Sequence, residues 1–128
     1  MASGNCIHVF LADDSAAIRE RVAAMLAAEG MEVDGGAGTP QACIDAIEAA
    51  RPDVVVLDVQ LEGGSGLQVL KTVRQSAPEV AFVVFSNNSG PVYQSRYLGQ
   101  GAAGFLDKSS EFGQLARAVR SACRRSIP

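Results

Sequence analysis

The chain has no tryptophan, a single histidine, and three cysteines, Cys6, Cys43 and Cys123, with no C-x-x-C pair among them. An odd, scattered set of thiols excludes a disulfide framework, and the same spacing gives no zinc site. Buried thiols in a reducing cytosol are the expectation. No uninterrupted apolar stretch approaches the roughly 18 residues of a membrane span, so no membrane association is expected. An excess of basic charge is also missing. The formal net charge is −3 and the pI is near 5.0, which gives no general attraction to phosphate backbones and disfavours direct nucleic-acid binding. The first residues, Met-Ala-Ser-Gly-Asn, lack the basic and apolar parts of a secretory signal. A cytoplasmic location follows as an expectation.

What is present is ordinary globular material arranged with regularity. At 128 residues, 48% apolar and 20% charged, the chain reads as one domain over 1–128 with a sizeable core. Runs rich in β-branched and apolar residues fall at about 6–12, 31–34, 53–57, 80–85 and 103–106, with helical periodicity between them. Ile18, Val22, Met25 and Leu26 mark the first helix, capped by Asp14 or Ser15 and ended at Gly30. The second starts near Thr39-Pro40, carries Ile44 and Ile47 inward, and stops at Arg51-Pro52. Leu67, Leu70 and Val73 stripe a third helix, Pro91 opens a short fourth, and Phe112, Leu115, Ala116 and Val119 mark the fifth. Val54–Leu57 and Val80–Phe85 are apolar throughout, as strands buried on both faces of a parallel sheet are. The pattern predicts a (βα)5 doubly wound, flavodoxin-like fold with strand order 2-1-3-4-5.

Right-handed crossovers place all strand C-termini on one edge, where such sheets bind ligands. Asp13 and Asp14 follow the first strand, Asp58 the third, Ser86 the fourth and Lys108 the fifth. Adjacent carboxylates resist ionising together unless a cation compensates, and an all-oxygen cluster suits Mg²⁺ or Mn²⁺ far better than zinc. Beside such an ion one carboxylate can attack phosphorus to give an acyl phosphate, and Asp58, on the central strand, is best placed. Lys108 would neutralise a phosphoryl oxygen and Ser86 would hydrogen-bond another. Charge placed on Asp58 would then draw Ser86 and loop 86–90 toward it.

With these residues the chain resembles the receiver domain of two-component response regulators over roughly residues 6–125. Separations of 45, 28 and 22 residues between Asp13, Asp58, Ser86 and Lys108 also look like the family's. The resemblance implies that Asp58 accepts phosphoryl from a phosphohistidine on a sensor histidine kinase or histidine phosphotransfer protein. It implies that Asp13, Asp14, Asp58 and the backbone carbonyl of Gln60 surround Mg²⁺. Phe105 matches the switch aromatic, and the fourth helix, fifth strand and fifth helix match the face that binds a downstream protein or supports a phosphorylation-dependent dimer. Catalysis would be confined to the domain's own phosphoryl transfer and dephosphorylation. The segment Gly101–Lys108 looks most like receivers joined to helix-turn-helix output domains, so an excised N-terminal receiver of a longer DNA-binding regulator is the alternative. Three positions depart from the pattern: Glu62 and Ser109 stand where Pro is frequent, and Asn87 where Ala or Gly is usual. No cis peptide is expected at Ser109, and Asn87 is expected to restrict access to Asp58.

Plainer roles exist for each residue taken singly. Asp13 and Asp14 could cap the first helix, Asp58 could be a loop carboxylate, and Lys108 a surface charge beside a Ser109 cap. An aspartyl-nucleophile phosphatase would want D-x-D after the first strand, whereas Asp13 and Asp14 are adjacent. A flavin carrier would want a phosphate loop where three carboxylates would repel it. Gly99–Gly104 matches G-x-G-x-x-G but enters a strand rather than leaving one, opposite to the dinucleotide fingerprint. His8, inside the first strand, reads as a packed or edge histidine. Tyr93, Tyr97 and Leu98 read as core or else as an exposed interaction patch, and Arg117, Arg120, Arg124 and Arg125 as a solvated helix face or else as a contact for an acidic partner.

Overall fold

A computed structural model describes residues 6–126, with side chains as far as Cys123. Residues 1–5, read above for a leader, and the side chains of Arg124 and Arg125 lie outside the described residues. Five parallel strands form one sheet: β1 (His8–Ala12), β2 (Glu32–Ala37), β3 (Val54–Leu57), β4 (Ala81–Ser86) and β5 (Gly104–Asp107). Their spatial order is β2-β1-β3-β4-β5, the predicted doubly wound order.

The helices are α1 (Ala16–Ala28), α2 (Pro40–Ala50), α3 (Gly66–Ser76), α4 (Pro91–Gly99) and α5 (Leu115–Ser126), the last entered through a 3-10 turn at Phe112–Gln114. Local chemistry sets their ends. Ser15 caps α1 by accepting from the Ile18 amide at 3.2 Å, and Thr39 caps α2 by accepting from Ala42 at 3.3 Å, with Pro40 as its first residue. Arg51 closes α2 with φ of 50°, and Pro52 prevents its continuation. With Ser15 as the cap, Asp13 and Asp14 are free of the plain capping role.

Alternation along the strands divides the core in two. Phe10, Val55, Leu57, Phe82 and Val84 face α2, α3 and Tyr97 of α4, while Val9, Val54, Val56, Val83 and Phe85 face α1 and α5. Every residue of β3 and β4 is buried, as their continuous apolar runs require. At the C-terminal edge of the sheet, between the layers, Asp13, Asp58 and Ser86 are the buried polar residues among those described.

Three expectations need correction. β2 extends to Ala37 rather than ending at 34, because its pairing with β1 and not the propensity of Gly35-Gly36 decides it. Only Cys43 is fully buried, and burial pushes its thiol up to about 11; Cys6 and Cys123 are half-buried. On α4, Tyr97 is core at 2% exposure but Tyr93 and Leu98 are 38% and 44% exposed: Leu98 turns off the packed face, and Tyr93, on the same side as Tyr97 but in the first turn of the helix, lies outside the core cluster. A small antiparallel hairpin, Gln60–Leu61 against Gly64–Ser65, follows β3. Among the described residues no helix is long and apolar enough to cross a membrane.

Candidate functional site

The ladder of the central strands continues just past their ends and fixes the backbone of the acidic residues. The Asp13 amide donates to the Ala37 carbonyl at 3.0 Å and the Asp58 amide to the Ala12 carbonyl at 2.9 Å. Ser86 is the last residue of β4, and its carbonyl accepts from the Lys108 amide at 3.0 Å. All five side chains named from the sequence therefore start from one sheet edge.

Lys108 joins them. Its Nζ donates to Asp13 Oδ2 at 2.7 Å and to Asp58 Oδ2 at 2.9 Å, with all three side chains no more than 10% exposed. Burial pulls the ammonium's pKa down, but the two carboxylates outweigh it and the net direction is up. The lysine thus stays charged between two acids, which excludes the plain reading of a surface cation. Asp13 Oδ1 takes the Ser15 amide at 2.9 Å, so the acid and the cap of α1 are locked together. Arg19 donates to the Asp13 backbone carbonyl.

Asp58 Oδ1 has only a long 3.4 Å contact with the Gln60 amide and is the less committed oxygen. It lies in a cavity of about 300 Å³ whose wall includes Asp14, Gln60, Ser86, Asn87 and Asn88. Asn87 stands at this opening as the sequence suggested, with Asn88 beside it. The Ser86 hydroxyl, 1% exposed as a residue, accepts from the Asn88 amide at 3.1 Å. Carboxylate oxygens of Asp13, Asp14 and Asp58 lie within 4.8 Å of one another. Three carboxylates against one ammonium leave an excess of two negative charges, which a divalent ion would balance.

Gly66 is required beneath the site. A Cβ there would sit 2.1 Å from the Asp58 carbonyl oxygen, and the Gly66 amide bonds Val59 at 2.7 Å, so the start of α3 presses directly on the Asp58 loop. Phe105 lies on β5, partly buried, edge-on to Tyr97 with centroids 6.1 Å apart. The Tyr97 hydroxyl in turn reaches the Val59 carbonyl at 3.4 Å.

The family model for the response regulator receiver domain matches residues 9–120. The chain belongs to this family. Response regulator GacA of Pseudomonas aeruginosa is 30% identical to this receiver over 115 residues, 89% of the chain and 54% of that protein. DNA-binding transcriptional activator DevR/DosR of Mycobacterium tuberculosis is likewise 30% identical, over 89% of the chain and 53% of that protein. The receiver spans about half the length of these curated relatives. Among solved structures, the signal receiver domain of the putative response regulator NarL from Mycobacterium tuberculosis superposes with a TM-score of 0.86 at 32% identity, covering 93% of this chain and 97% of that one.

One feature escaped the sequence reading. Asp107 gathers five hydrogen bonds around its carboxylate and amide, from or to Ser89, Ser109, Ser110 and Glu111. As the residue closing a strand run it gave no signal of that role. The Lys108–Ser109 peptide is trans. At the opposite end of the sheet, His8 Nδ1 pairs with Asp34 at 2.9 Å, near Glu32. Arg120 is bound within the chain, to Glu29 of the segment after α1, at 2.8 Å.

Proposed function

We propose that this receiver is a Mg²⁺-dependent phosphoacceptor, with Asp58 taking a phosphoryl group from a phosphohistidine on a sensor histidine kinase or histidine phosphotransfer protein. The observation that carries the reading is the Lys108 ammonium bridging Asp13 and Asp58 at the mouth that Ser86 shares. An Asp58 oxygen attacks phosphorus in line. The new O–P bond forms as the N–P bond breaks, and the imidazole leaves with that electron pair and takes up a proton. Lys108, already held charged, meets one phosphoryl oxygen, and the Ser86 hydroxyl is available to donate to another.

Asp13, Asp14 and Asp58 offer only hard oxygen donors and the right charge, a set that fits Mg²⁺ or Mn²⁺. The Gln60 carbonyl completes the protein's share. When bound there, the ion supplies charge neutralisation for the phosphoryl oxygens. The domain has no metabolic substrate; it catalyses its own phosphorylation and hydrolysis. Asn87, at the rim, narrows access to Asp58 and slows both.

The output is binding of a downstream protein, or a second phosphorylated copy, on α4, β5 and α5. Val92, Tyr93 and Leu98, 68%, 38% and 44% exposed on α4, give that face apolar surface. Movement of Ser86 toward the new charge reaches it through Phe105. Intact mass after incubation with acetyl phosphate and Mg²⁺ tests the proposal: one added phosphoryl on wild type and none on Asp58→Asn is expected. No addition to wild type, or addition that survives Asp58→Asn, would sink it.

A further inference from the structure

The Ser86 loop and the Lys108 turn are tied by a carboxylate outside the phosphoacceptor cluster. Ser86 and Asp107 are register partners at the end of the β4–β5 ladder, and the Lys108 amide bonds the Ser86 carbonyl at 3.0 Å. Beyond that point the two chains separate, one into loop 87–90 and the other into turn 109–111. Asp107 spans the gap. Its Oδ2 accepts from the Ser89 hydroxyl, while Oδ1 accepts the Ser109 amide at 2.8 Å, the Ser109 hydroxyl at 2.7 Å and the Ser110 amide at 3.0 Å. The Asp107 amide donates to Glu111 Oε1 at 2.8 Å, and Gln94 of α4 holds the Ser89 carbonyl at 2.8 Å.

The turn after the lysine is therefore shaped by hydrogen bonds to one side chain rather than by a proline ring. Ser109 contributes both an amide and a hydroxyl to that carboxylate, and proline there could supply neither. The same carboxylate anchors the loop that carries Ser86, Asn87 and Asn88 around the cavity. Four donors saturate it, and charge-assisted hydrogen bonds of this kind hold geometry better than neutral ones.

We infer that Asp107 is a positioning residue which, through Ser89, fixes loop 86–90 to the Lys108 turn and so sets Ser86 and Lys108 as one preassembled pair for the phosphoryl oxygens. This rests on the phosphoacceptor reading of Asp58. A group misplaced by about an ångström can cost a large factor in rate, so loss of the tie slows transfer without removing any group that touches phosphorus.

The test compares wild type, Ser89→Ala, Ser89→Thr, Asp107→Ala and the double variant Ser89→Ala/Asp107→Ala. Amide exchange of Asn88 and Ser89, read by NMR before any donor is added, reports the tie itself. Exchange about tenfold faster in Ser89→Ala and restored by Ser89→Thr is expected. Phosphorylation by acetyl phosphate with Mg²⁺ should slow about three- to tenfold in Ser89→Ala, more in Asp107→Ala, and no further in the double variant, because both substitutions remove one shared contact. Recovery by Ser89→Thr, which keeps only the hydroxyl, separates positioning from general loosening. Unchanged exchange in Ser89→Ala overturns the tie, and an unchanged rate with wild type phosphorylating normally overturns its positioning role. A wild type that takes no phosphoryl overturns the reading of Asp58 and the positioning role with it, and the exchange data alone then report whether the tie exists.

Discussion

The two ends of this sheet hold nearly the same ingredients and use them differently. At the C-terminal edge Lys108 sits between Asp13 and Asp58, its side chain 9% exposed; at the N-terminal end His8 pairs with Asp34 beside Glu32, its side chain 44% exposed. Both are bases among carboxylates. Their surroundings decide what the charges can do. At the C-terminal edge three strand ends converge and bury the Asp13, Asp58 and Lys108 side chains against one another, so each of these charges depends on the others. At the N-terminal end, a bulge between Val9 and Phe10 skips Asp34 out of the β1–β2 ladder and sets it beside His8 on an open surface. Solvent screens that pair, and its energetic weight is small.

The largest contrast lies in the backbone. Gly66→Ala drives a Cβ into the Asp58 carbonyl and is expected to cost about 3 kcal/mol in urea unfolding, whereas Gly35→Ala, whose Cβ would meet Phe10 at an ordinary 3.9 Å, should stay within about 1 kcal/mol. Equal costs would break the comparison. Next comes Lys108→Met, which leaves Asp13 and Asp58 facing one another. In metal-free buffer it should lose about 2 kcal/mol, partly regained with Mg²⁺, against less than about 1 kcal/mol for His8→Gln.

The smallest effect is the most specific. The hydrogen bond to Asp34 raises the His8 pKa above 6.5, aided by the charges of Asp34, Glu32 and Asp53 and opposed by slight desolvation. A raised folded value means that the pair's contribution is complete below the unfolded pKa and disappears as pH rises through the folded one. Because His8 is the single histidine, its NMR titration is unambiguous. A midpoint above 6.5 that falls back in Asp34→Asn and ignores Mg²⁺ is expected.

Much of the acidic edge was legible because each of its residues closes an apolar run. Val54–Leu57 can only be a buried strand, so Asp58 had to emerge at its end, and the same holds for Asp13 after β1 and Ser86 at the end of β4. What was hidden depends on partners distant in sequence. Asp107 looks like one more strand residue until Ser89, 18 positions earlier, folds against it. Tyr93 and Tyr97 lie one turn apart on the same side of α4, yet only Tyr97 reaches the core, and nothing local to the helix tells them apart. Gly66 fits the receiver pattern, but that fit does not show that the glycine makes room for the Asp58 carbonyl.

Chemical mapping of the phosphoryl group tests the central claim most directly. After acetyl phosphate and Mg²⁺, borohydride reduces an aspartyl phosphate to homoserine, and peptide mass spectrometry locates it. Homoserine at position 58 in wild type, lost when Mg²⁺ is withheld, is the predicted result. Homoserine elsewhere, phosphate retained on Ser86 or His8, or no conversion at all would contradict it.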